Sequence, residues 1–164
     1  MIVASTLTQM VDYFGNDIRR INHALKVFGF TCSIAKKEEL SGEMLETAQL
    51  AAILHDIGIP VAGKKYQSSA GKYQEIEGPP IAREILENLG VKPNIIDRVC
   101  HLIGNHHSYT RIDGIDFQIL VEADFLVNID EDKMDIDSVV AIRKKYIRTP
   151  TAISLLDRMY LKTT

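Results

Sequence analysis

The chain has 164 residues, 46% of them hydrophobic and 25% charged, the balance of one ordinary globular domain and not of a disordered segment. Lys plus Arg number 19 against 22 Asp plus Glu, for a net charge of −3; with no long block of like charge, a nonspecific duplex-binding surface is excluded and any nucleic-acid substrate has to be small. Two cysteines, Cys32 and Cys100, form no CxxC pair and read as reduced thiols, the opening MIVASTLTQMVDYF lacks the basic leader of a signal peptide, and no apolar run nears the roughly 20 residues of a membrane span, so the expectation is a soluble cytoplasmic protein.

Along the chain the pattern is helical. One or two helices fit residues 5–14 and 136–147. Asn16 or Asp17 can cap a helix running to about Phe30, with Ile18, Ile21, Leu25 and Phe28 at three- and four-residue steps. Ser41 can cap the next, which carries Glu43 and Glu46 near its positive end and stops at Gly58. From Pro60 to Gly78 glycines, serines and lysines break the periodicity, which predicts a long loop of the functional kind. Pro79 and Pro80 then suit a helix start and Gly90 its end, and Pro93 opens a helix to about His107. Asp113-Gly114 marks a turn. The first seven residues of Ile115–Asn128 nearly alternate as in a strand, but the length of the segment favours a helix. Thr149-Pro150 caps a last helix through Leu155, Leu156 and Met159. The sum is an all-α domain of six to eight helices spanning residues 1–164, without repeats or linkers.

The residues that stand out are polar ones in apolar company. Asp124 has Leu120, Val121 and Val127 as same-face neighbours on its helix, and His55 has Ala51, Ala52 and Ile59, so both point inward. A buried carboxylate needs a hydrogen-bonded partner, a raised pKa or a metal ion. His23 lies among Arg19, Arg20 and Lys26, the setting of a solvated surface histidine.

The pair His55-Asp56 in AAILHDIGIP, preceded by His23 and followed by Asp124 in VEADFLVN, resembles the H…HD…D signature of the HD-domain superfamily of metal-dependent phosphohydrolases. GPPIAREIL resembles the helix that follows this superfamily's loop, and the likeness covers about residues 20–130. It implies an all-α fold in which His23, His55, Asp56 and Asp124 hold a divalent ion. Two imidazoles and two carboxylates form a nitrogen and oxygen set suited to Mn, Fe, Co, Ni or Zn, with Mg also admitted. The implied reaction is attack of ion-activated water on the phosphorus of a small phosphate ester or anhydride, a nucleotide above all, with Asp56 also orienting the water.

Some members hold a second ion through a loop histidine and a His-His pair. The chain keeps His106-His107 in GNHHSYT but has Gln74 where those relatives have histidine, so one ion is expected and a second site is left open. His106 and His107 are candidates for second-metal binding, substrate contact or protonation of the leaving group, against the plain reading of cations ending a helix. Lys65 and Lys72, just after the metal pair, are candidates for binding substrate phosphate, against the plain reading in which Lys64, Lys65, Lys72 and Arg83 are a solvated face. His101 is taken as structural. Two rival functions fit the same string: a diiron oxygenase, and a regulatory module that binds a metal and a nucleotide without turnover. No heptad decides between a monomer and a homodimer.

Overall fold

The computed structural model describes residues 1–161; the last three residues of the expected domain lie outside it. It is all-α, with no strand among the described residues. In chain order the helices are α1 (Ile2–Phe14), α2 (Ile18–Lys37), α3 (Gly42–Leu54), α4 (Ile59–Tyr66), α5 (Gly71–Asn88), α6 (Pro93–Ile103), α7 (Ile115–Glu131), α8 (Ile136–Tyr146) and α9 (Pro150–Leu156). A 3₁₀ turn, Tyr109–Arg111, lies between α6 and α7, and a π-helical turn, Asp157–Leu161, follows α9.

Helices α3 and α7 form the centre. Phe117, Ile119, Leu120, Val121, Ala123 and Leu126 of α7 are almost fully buried, as are Ala48 and Leu50 to Leu54 of α3. A helix buried on all sides needs neighbours on all sides. α2 packs against both, α6 against α3, and α5 against α6, while α1 closes over α2 and α3. α2 presents a stripe of Ile21, Ala24, Val27, Thr31, Ile34 and Ala35. The last three carry the buried stripe past Phe30, which is why the helix outruns its expected end. Asp17 caps it, accepting from Arg20 N at 3.2 Å.

The segment expected as a long loop is a helical hairpin instead. Only residues 67–70 separate α4 from α5, and Pro79 and Pro80 sit inside α5 and do not begin it. Two interior prolines remove two helix hydrogen bonds, at about 3 kcal/mol or more each, so packing has to hold the half of α5 that precedes them. The Tyr66 and Tyr73 rings stack at 4.1 Å. Lys65 Nζ and Tyr66 Oη both donate to Glu77 Oε1, at 2.8 and 2.7 Å. The backbones meet at glycine: a Cβ on Gly58 would stand 2.6 Å from Gly78 N and 2.7 Å from Gln74 O.

At the other end Glu122, with no exposed surface, accepts from Gln118 Nε2 (2.9 Å), Thr149 N (2.8 Å) and Thr149 Oγ1 (2.6 Å). The same Thr149 hydroxyl accepts from Ala152 N and caps α9, as the Thr149-Pro150 pair predicts. Cys32 and Cys100 are free thiols. No helix among the described residues is long and apolar enough to cross a membrane.

Candidate metal centre

Three mutually packed helices bring four expected residues together. His23 projects from α2, Asp124 from α7, and His55 and Asp56 from the turn where α3 ends. That turn forms because the apolar run of α3 meets Gly58 and Pro60, and Pro60 sits in the first turn of α4. His23 Nε2 is 3.1 Å from His55 Nε2, 3.2 Å from Asp124 Oδ1 and 3.6 Å from Asp56 Oδ2. His55 Nε2 is 3.6 Å from Asp56 Oδ2 and 3.7 Å from Asp124 Oδ1. His23, His55 and Asp124 are buried.

The outer partners decide what these atoms offer. His55 Nδ1 donates to the Ala52 carbonyl at 2.9 Å, and His23 Nδ1 donates to Glu131 Oε2 at 3.0 Å. With both protons spent outward, each Nε2 turns a lone pair inward, towards two carboxylates. Glu131 is itself held by Lys26 Nζ at 3.0 Å, and Asn128 Nδ2 donates to Asp124 Oδ1 at 2.9 Å. Four acceptors facing one another call for a cation, and histidines whose far ring N–H is held by a carboxylate or a backbone carbonyl, as Glu131 and the Ala52 carbonyl do here, are the usual ligands of a metal ion. The proton balance expresses the same demand. Burial lowers the pKa of His23, but the hydrogen bond to Asp124 and the charges of Asp124 and Asp56, with help from Glu131, outweigh it and push it up to about 9. Burial holds His55 below its ordinary value against the pull of Asp56 and Asp124. Asp56 and Asp124 resist the upward push of burial and stay low because histidines surround them.

His106 and His107 join from the turn that follows α6, not from the end of the helix itself, which stops at Ile103. His106 donates Nδ1–H to the Ile103 carbonyl at 2.7 Å. Its Nε2 is buried without a hydrogen-bond partner, 3.6 Å from Asp56 Oδ1. Asp56, His106 and His107 therefore make a second group able to hold a cation beside the first, formed by His23, His55 and Asp56. Gln74, in α5, donates Nε2–H to the Ser69 carbonyl at 2.6 Å, which fixes its amide, and presents Oε1 to His107 Nε2 at 3.2 Å. Glu75 accepts from His107 N and Ser108 Oγ. Burial and the neighbouring His106 push the pKa of His107 down to about 4.

The lysines expected at the phosphate lie elsewhere. Lys65 is exposed and paired with Glu77, and Lys72 lies over the Tyr73 ring; neither lines the cleft above His23 and Asp56, whose cations are Arg19 and Arg20. His101 pairs with Asp113 at the surface, 3.1 Å away. Sequence reading missed Glu131 and Asn128, although Asp124, Asn128 and Glu131 share one helix face at i, i+4 and i+7.

The HD domain profile matches residues 20–145. No curated protein matches the chain significantly. Among solved structures, a protein described as a predicted HD superfamily hydrolase from an uncultured Thermotogales bacterium has a similar fold. The TM-score is 0.69 at 22% identity, over 95% of this chain and 83% of that one. With its helices in that arrangement, its H…HD…D residues gathered at one point and the profile spanning most of its length, the chain belongs to the HD-domain family.

Proposed function

We infer that the protein is a metal-dependent phosphohydrolase acting on a small phosphate ester or anhydride in the cytoplasm, with nucleotides the first class to screen. The observation that carries this is the inward-facing set of lone pairs on His23, His55, Asp56 and Asp124, each oriented from behind or crowded by its neighbours. A divalent ion held there supplies Lewis acidity, polarising a phosphoryl oxygen and acidifying water. Asp56 turns Oδ2 towards His23 and His55 and Oδ1 towards His106, so it would hold the ion through the first and orient the attacking water through the second. His106, whose pKa is raised against burial by Asp56, turns its Nε2 towards Asp56 Oδ1 at 3.6 Å and is the residue we assign as proton donor to the leaving oxygen. His107, kept neutral and tied to Gln74, positions the phosphate. Because Gln74 gives its oxygen to His107 and offers no nitrogen to a second ion, hydrolysis is favoured over two-iron oxygen chemistry.

Protein reconstituted in turn with Mn, Fe, Co, Ni, Zn and Mg is expected to release phosphate from part of a panel of nucleotides and other phosphoesters. Asp56→Ala and chelation are both expected to abolish release. Turnover that survives both refutes the assignment.

A further inference from the structure

The cleft continues beyond the metal centre. Its inner lobe, about 340 Å³, is lined by His23, Asp56, Gln74, Arg19 and Arg20, and its outer lobe, about 590 Å³, by Lys64 and Ser68 among others. Arg20, Ile59 and Ser69 belong to both lobes. The two therefore form one groove, which runs from the metal centre outward between the first turn of α2 and the corner joining α4 to α5.

The groove is read by charge. Arg20 is steadied through Nε by Asp17 Oδ2 at 3.0 Å, which keeps its guanidinium beside the groove. Lys64, on the opposite wall, and Arg19, at the inner rim, have no ion-pair partner among the described residues, whereas neighbouring Lys65 is committed to Glu77. The inner lobe's acidic side carries Glu131, already engaged by His23 and Lys26, and Asp132; Asp132 does not line the outer lobe, where Arg20 and Lys64 stand. Among the described residues no Phe, Tyr or Trp lines either lobe, so the groove offers no large ring on which a nucleobase commonly stacks, while arginine and lysine there offer charge-assisted hydrogen bonds to an anion.

Building on the phosphohydrolase reading, we propose that Arg20 and Lys64 form a subsite for a second anionic group of the substrate, a phosphate or a carboxylate, one short spacer away from the phosphate at the metal centre. The substrate class is then a compact phosphate compound carrying two separated anions. A nucleotide would be recognised through its phosphates and not through its base.

Non-hydrolysable phosphonates separate this subsite from the metal centre. Calorimetric titration of the Mn-loaded full chain compares propylphosphonate, 3-phosphonopropanoate and propane-1,3-diyl bisphosphonate. One or both of the doubly anionic probes is expected to bind about tenfold tighter than propylphosphonate, equivalent to about 1.4 kcal/mol, beyond the twofold statistical gain of a two-ended ligand. A gain for the bisphosphonate alone assigns the subsite to phosphate, and a gain for the phosphonopropanoate alone assigns it to carboxylate. In the Arg20→Gln/Lys64→Gln variant the gain is expected to shrink to within about twofold. A wild-type gain no greater than the statistical factor, or an undiminished gain in the variant, overturns the subsite. Propylphosphonate that binds no better with Mn than after chelation instead overturns the phosphohydrolase reading.

Discussion

Glu131 is expected to control metal affinity without touching the metal. Its Oε2 accepts the Nδ1–H of His23 at 3.0 Å while Lys26 holds Oε1 at the same distance, and Lys26 is half exposed, so the carboxylate keeps most of its charge for the histidine. Replacing it with glutamine preserves the shape and an acceptor but removes the charge. Outer-shell partners of metal-bound histidines contribute about 10–100-fold in affinity. Glu131→Gln is thus expected to weaken the metal about tenfold, or about 1.4 kcal/mol, and Glu131→Ala, which also frees the ring to rotate, towards a hundredfold. Titration of Mn or Zn against a competing chelator measures this. In the metal-free protein the same substitution lowers the pKa of His23 from about 9, which NMR follows at the ring protons. Affinity within twofold of wild type in both variants, with Asp124→Ala still losing the metal, refutes the claim that Glu131 orients a ligand.

Two further outcomes concern stability. Glu122→Ala removes the acceptor of Arg148 N, Thr149 N and Thr149 Oγ1 around a carboxylate with no exposed surface; three stranded donors cost about 3 kcal/mol, a melting temperature lower by about 6–12 °C for a chain of this length, and a loss under about 1 kcal/mol contradicts the clasp. The metal-free protein is expected to be most stable near pH 6.5. His23 has its folded pKa raised to about 9 from 6.5, so its contribution is complete below 6.5 and is lost as pH rises through 9, by up to about 3 kcal/mol. His107 has its folded pKa lowered to about 4, so its contribution is present above 6.5 and is lost as pH falls to 4. Denaturant midpoints across pH 4–9 test this, and a flat profile contradicts both assignments.

What could be read from the sequence tracks how local each signal is. Asp124 announced itself through apolar neighbours on its own helix, and His55-Asp56 by an inward-facing histidine at a helix end. His23 was legible only through the resemblance, because Arg19, Arg20 and Lys26 surround it in sequence and suggest a surface residue; in the structure the two arginines line a cleft and Lys26 reaches Glu131, so the charged neighbours are the walls of the site. The α4–α5 hairpin was hidden because its stability comes from stacking of Tyr66 on Tyr73 and from backbone contact between Gly58 and Gly78. Neither leaves a helical period, and Pro79-Pro80 imitates a helix start. Lys65 and Lys72 were nominated by proximity in sequence, but α4 and α5 turn them onto Glu77 and Tyr73.

The central claim is that His23, His55, Asp56 and Asp124 hold one divalent ion, and elemental analysis of protein purified without chelators tests it most directly. Wild type is expected to carry about one transition metal per chain and Asp124→Ala almost none, since the variant removes one of the four inward-facing donors. An equal metal content in the two, or none in wild type even after reconstitution with Mn, Fe, Co, Ni or Zn, contradicts the account.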